Sequence, residues 1–157
     1  MQKITPCLWF DDQAEEAASF YTSIFKNSKI KDIAYFGEGA PRPADMVLTV
    51  TFEIEGQEFI ALNGGPEYKF NPAVSFMVDC RTQEEVDDLW QKLSEGGKED
   101  QCGWLTDKYG VSWQIVPSIL NVYLQDKNKE KAKSVMQAML QMRKLYIPLL
   151  KQAYDEG

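Results

Sequence analysis

Three cysteines, twenty-four carboxylates and no histidine make up the chain's stock of strong metal ligands and general acid-base groups. Without imidazole there is no Ser-His or Cys-His dyad, no His-ligated zinc, and no side chain that titrates near neutrality in an ordinary environment. Cys7, Cys80 and Cys102 are odd in number and lack CxxC spacing, which argues against a disulfide framework and a thiolate cluster and for a reducing, cytoplasmic setting. Cys102 stands beside Gly103, but no cation near it in sequence would activate the thiol, so it reads as buried and inert. Glu53, Glu55 and Glu67 are oxygen ligands for a hard cation in principle, yet in strand and turn contexts they read as solvated face residues. Gly37-Glu-Gly39 and Asn63-Gly-Gly65 do not make a GxGxxG turn between a strand and a helix, so neither a dinucleotide nor a methyl-donor site is indicated. No cofactor is expected.

The elements that must position these groups belong to an ordinary globular chain. At 157 residues, 44% hydrophobic and 26% charged, it suits one domain, which at this size buries roughly 70% of its unfolded surface. A net charge of -7 opposes binding to a phosphate backbone, so no nucleic acid partner is expected. No apolar run approaches 18 residues and no basic segment leads into an apolar stretch at the N-terminus, so neither membrane insertion nor export is expected.

Ile4 to Phe10 reads as a strand, and Gln13 to about Lys26 as a helix with Ala17, Phe20, Tyr21 and Ile24 on one face. Lys29 to Phe36, Met46 to Glu55 and Phe59 to Asn63 read as three further strands, the last two joined by a turn at Gly56. The second half repeats the plan. Ala73 to Val78 is a strand, Thr82 and Glu85 open a helix with apolar Val86, Leu89, Trp90 and Leu93, and Cys102 to Val116 is a hairpin turning at Asp107-Lys-Tyr-Gly110. An offset of 69 carries Glu15-Glu16 onto Glu84-Glu85 and, extended backwards, Pro6 onto Ser75 and Leu8 onto Met77. Beyond Pro117 a short helix spans residues 118 to 124, and residues 127 to 154 form an amphipathic, Met-rich helix interrupted at Pro148. That tail must cover either its own sheet or another subunit's. The fold class is α+β.

The phrases Phe10-Asp-Asp-Gln-Ala-Glu-Glu-Ala17, Ala61-Leu-Asn-Gly-Gly-Pro66, Cys102-Gly-Trp-Leu105 and Asp107-Lys-Tyr-Gly-Val-Ser-Trp-Gln-Ile-Val-Pro117 resemble the PhnB-like branch of the vicinal oxygen chelate superfamily. That superfamily includes glyoxalase I, bleomycin-resistance proteins and extradiol dioxygenases, and this branch often bears the label 3-demethylubiquinone-9 3-methyltransferase. The resemblance implies two βαβββ modules, residues 1-66 and 72-117, paired over 1-117 into a cupped mixed sheet, with 118-157 a C-terminal helical extension of the same domain. It also implies a homodimer and a small ligand or metal in the cup. The metal positions carried over from relatives are Pro6, Ser75, Ile60 or Ala61, and Gln114. Only Ser75 and Gln114 hold a side-chain oxygen, and neither is a strong ligand for zinc, nickel or iron, so no metal is expected.

Strand parity then turns Leu8, Phe10, Ser75, Met77 and Gln114 toward the cup and Trp9, Phe76 and Trp113 toward the helices, with Asn63 and Trp104 at the rim. Phe10, Asn63, Ser75, Met77, Trp104 and Gln114 are the expected ligand pocket. The expected function is metal-free binding of a small aromatic or amphipathic molecule. The alternatives are a metal-assisted lyase or isomerase, a methyltransferase as the label suggests, or a non-binding dimeric module.

Overall fold

The computed structural model describes residues 2–157. Two compact units follow one another, Met1–Phe70 and Asn71–Gly157. The first contains β1 (Cys7–Phe10), α1 (Ala14–Ile24), β2 (Ser28–Tyr35), β3 (Val47–Ile54) and β4 (Gln57–Asn63), in a sheet of order β1-β4-β3-β2. β1 runs parallel to β4, and β2, β3 and β4 form an antiparallel meander. In β3 and β4 one face is buried, Val50 and Phe52 pairing with Ala61 and Phe59, and α1 lies on it with Tyr21 stacked on Phe52. Glu55 and Gly56 both take positive φ, the two-residue turn whose twist matches that of the strands it joins.

The second unit contains β5 (Ser75–Cys80), α2 (Gln83–Ser94), β6 (Lys98–Glu99), β7 (Trp104–Thr106) and β8 (Ser112–Pro117), in the order β5-β8-β7-β6 with β5 parallel to β8. The topology is that of the first unit, so each unit is one βαβββ module. α2 starts on Thr82, whose hydroxyl accepts the Glu85 N–H, and buries Val86, Leu89, Trp90 and Leu93. β6 has only two residues, both exposed, and so carries none of the apolar alternation that reveals a strand.

A single offset does not hold throughout the repeat. The helix starts lie 69 residues apart, Ala14 to Gln83, whereas the strand ends lie 70 apart, Phe10 to Cys80, because three residues join β1 to α1 and two join β5 to α2. Side chains alternate faces at every strand residue, so an odd slip reverses the face. Leu8 and Phe10 accordingly lie on the α1 side of their sheet, and Trp9 on the other, the reverse of the expected parity.

The second unit continues into α3 (Ser118–Leu124), α4 (Lys129–Leu140) and α5 (Ile147–Glu156). The helix expected to run on to Pro148 stops at Leu140, since residues 141–146 are committed elsewhere: the carbonyls of Met142 and Arg143 accept the Cys102 and Gly103 N–H groups at 2.8 and 2.7 Å. Gln83 then opens α5, its Oε1 accepting the Ile147 N–H at 2.7 Å while its Nε2 donates to the Leu145 carbonyl at 3.1 Å. Pro148 sits in the first turn of α5, where a missing N–H costs nothing. Val116, Leu120, Val135, Leu145 and Leu150 form the core beneath these helices, so the Met-rich tail covers its own unit. Among the described residues no helix is long and apolar enough to cross a membrane.

Candidate functional site

α2 covers one face of the second sheet, where Phe76 and Trp113 pair across β5 and β8 with ring centroids 5.4 Å apart and Leu105 and Ile115 are fully buried. The opposite face carries Ser75 and Met77 on β5, Gln114 on β8 and Trp104 on β7. Gln114 lies between Met77 and Trp104 as cross-strand partner of both. Its Nε2 donates to Ser75 Oγ at 3.0 Å. Ser75, Trp104 and Gln114 are half-buried, while Met77 is 60% exposed. On the same face of β8, Gln114 sits between two buried residues, Val116 in the core of the C-terminal helices and Ser112 at 2% exposure, while its neighbour Met77 is open.

Four of the six expected pocket residues thus share one patch of sheet. The other two, Phe10 and Asn63, belong to the first unit and to its helix-covered face. Phe10 is 2% exposed and meets the edge of Phe70 at 5.2 Å. Asn63 is 3% exposed, and its amide is engaged at both ends, Oδ1 accepting the Ala14 N–H at 2.8 Å and Nδ2 donating to the Val47 carbonyl at 2.9 Å. It fixes the start of α1, where Gln13 provides no side-chain cap. Asn63→Ala should therefore cost about 2 kcal/mol in urea unfolding, as a lost cap at a buried N–H and a part-buried carbonyl left without this donor predict, without disturbing Trp104.

Trp9, expected against a helix, instead lays its indole over Gly64, where an added Cβ would come within 2.3 Å of the ring, and donates from Nε1 to the Gly65 carbonyl at 2.9 Å. Sequence reasoning also missed Asp107, read as a turn residue and in fact a buried acceptor that holds the β7–β8 hairpin and hence Trp104 opposite Gln114. The Asp-x-x-Gly spacing with a tryptophan six residues on from Asp107 is the signal that could have found it.

The divalent metal that the resemblance implies does not fit these donors. Pro6 offers no side-chain donor atom, its carbonyl being taken by the Ile60 N–H, and Ala61, paired with Leu8 on the α1 side, is fully buried. Ser75 and Gln114 supply a hydroxyl and an amide that bond to each other. Among the described residues, no three Cys, Asp or Glu side chains gather as a metal site requires.

The cysteines are free. Partial desolvation raises the pKa of the Cys7 thiol, and burial, with Glu85 and Asp79 adding to it, pushes that of Cys80 from 9.0 to about 12. The unfolded chain therefore ionises Cys80 from about pH 9 while the folded chain keeps it neutral, so this group's contribution to stability is intact below pH 9 and falls as pH rises from 9 toward 12. The drop in urea midpoint between about pH 8 and about pH 10.5 should be smaller in Cys80→Ala than in the wild type.

The profile of the 3-demethylubiquinone-9 3-methyltransferase family matches residues 2–116. The PhnB protein from Bacillus cereus, described under the same methyltransferase name, is 40% identical, with a TM-score of 0.68 over 74% of this chain and 99% of its own. Protein PA1353 from Pseudomonas aeruginosa shares the fold at 21% identity and a TM-score of 0.62, over 74% of this chain and 98% of its own. So does the fosfomycin resistance protein FosX from Listeria monocytogenes in its monoclinic form, at 14% identity and a TM-score of 0.56, over 80% of this chain and 98% of its own. No curated protein matches the sequence significantly. The family match stops at residue 116, so α3, α4 and α5 lie beyond it. The chain belongs to the 3-demethylubiquinone-9 3-methyltransferase family, the PhnB-like branch of the vicinal oxygen chelate superfamily.

Proposed function

We propose that the protein binds a small, partly aromatic molecule on the face of its second sheet opposite α2, without a resident metal. The observation that carries this reading is the Gln114–Ser75 pair, two half-buried polar side chains, Gln114 between the apolar surfaces of Trp104 and Met77 and Ser75 beside Met77 on β5. Apolar residues would pack a closed sheet face at lower desolvation cost, whereas a few polar groups among aromatic and aliphatic ones are what orients a small ligand. FosX, a fosfomycin resistance protein, shares this fold, and sequestration of a noxious compound is the role proposed here. The reading includes a cytoplasmic location, supported by three free cysteines, and a homodimer, as the superfamily resemblance implies.

Thermal-shift screening of aromatic metabolites and antibiotics tests it. A compound that raises the melting temperature of the wild type but not of Gln114→Leu supports the proposal. A melting temperature that no compound moves, with Gln114→Leu more stable than the wild type, shows a face kept only for packing. Calorimetry with S-adenosylmethionine checks the activity in the family name, and a heat of binding would favour a methyltransferase instead.

A further inference from the structure

The side chains at the centre of this face also define what kind of molecule they complement. With Gln114 Nε2 donating to Ser75 Oγ, the Ser75 O–H is left to donate and Gln114 Oε1 to accept. Turning the amide over exchanges these roles and still leaves one donor beside one acceptor. The pair therefore presents a donor and an acceptor side by side, next to the Trp104 ring, and a planar molecule with a carbonyl adjacent to an N–H satisfies both at once while stacking on the indole.

Charge narrows the class further. The four strands of this sheet contain a single cation, Lys98, on the outermost strand β6 and paired with Asp100 at 3.3 Å. Asp79, exposed and two residues beyond Met77 on the same face of β5, repels an anion. An anionic ligand would give up its hydration for an amide and a hydroxyl with no compensating positive charge from the strands themselves. We propose that the ligand is an uncharged, planar compound bearing a cyclic cis-amide or an equivalent adjacent donor and acceptor. This deepens the binding role proposed above and rests on it.

Three probes with the same double ring separate the terms: 2-quinolinone, a neutral lactam; quinoline-2-carboxylate, an anion; and plain quinoline, which has no such donor–acceptor pair. Each is titrated into the full-length protein to millimolar concentration while the Gln114 side-chain amide and Trp104 indole N–H signals are followed by NMR. The expected result is that 2-quinolinone binds about tenfold tighter than either of the others, the size of one well-made hydrogen bond. Ser75→Ala and Gln114→Leu should each remove that preference, and a preserved amide spectrum shows that they still fold. If the carboxylate binds as tightly as the lactam, the uncharged class is wrong although the binding face stands. If all three bind alike and neither substitution matters, the polar pair selects nothing. If none of the probes moves either signal, the binding face itself is refuted and this inference falls with it.

Discussion

Replacing Asp107 with alanine should lower the free energy of unfolding by about 4 kcal/mol, measured by urea denaturation. The carboxylate is 2% exposed and is shared between two parts of one hairpin. Oδ1 accepts the N–H groups of Tyr109 and Val111 at 2.8 and 3.0 Å, and Oδ2 accepts the Trp113 indole N–H at 2.9 Å. Alanine leaves three donors without this acceptor, two of them in buried residues, and each buried orphan costs about 1–3 kcal/mol. Asparagine in place of the acid keeps the shape but only one carbonyl, so either the backbone pair or the indole meets an amide N–H instead of an oxygen. Asp107→Asn should therefore cost about half as much. Because Trp113 packs against Phe76 on the α2 side of β8, both variants should also red-shift the tryptophan emission. An alanine variant within about 1 kcal/mol of the wild type would show that the turn holds itself without the carboxylate.

The contrast between Asp107 and its neighbours explains which parts of the fold were legible. β3 and β8 announce themselves through residues such as Val50, Phe52, Trp113 and Ile115 at alternate positions, and α2 through Thr82 and the spacing of Val86, Leu89, Trp90 and Leu93. These signals are local. Asp107 looks like an ordinary turn residue because its indole partner is reached only after the hairpin closes, and Gln83 looks like surface because the helix end it holds begins 64 residues later. β6 left no trace because two exposed residues cannot show a period.

The candidate site divides along the same line. In β5 and β8, bulky Phe76 and Trp113 need the cover of a helix, which turns Ser75, Met77 and Gln114 to the other face, and hairpin register brings Trp104 beside them. In β1 the apolar run Leu8-Trp9-Phe10 has no polar alternation, so its phase had to be borrowed from the helix that follows. One extra residue between strand and helix was enough to reverse it and to place Phe10 and Asn63 beneath α1.

Leu145→Ala should cost about 3 kcal/mol and should disturb Trp104, whereas Leu149→Ala, on a residue 49% exposed, should stay within about 0.5 kcal/mol. Leu145 is fully buried in the core of the C-terminal helices, and its removal leaves a cavity that rigid helix packing fills only in part. It also lies against the loop that leads into β7. A Cβ on Gly103 would come within 2.9 Å of Leu145 Cδ1, and the Met142 and Arg143 carbonyls, three and two residues before Leu145, accept the Cys102 and Gly103 N–H groups. Loosening Leu145 therefore acts directly on the backbone preceding Trp104. Leu150→Ala removes an equally buried side chain from the same core but from within α5, so it should match the stability loss and leave the Trp104 indole N–H signal in place. If the two variants move that signal equally, the extension supports the binding face only through overall stability. If Leu145 alone moves it, the helices beyond the family match are a brace for one wall of the site.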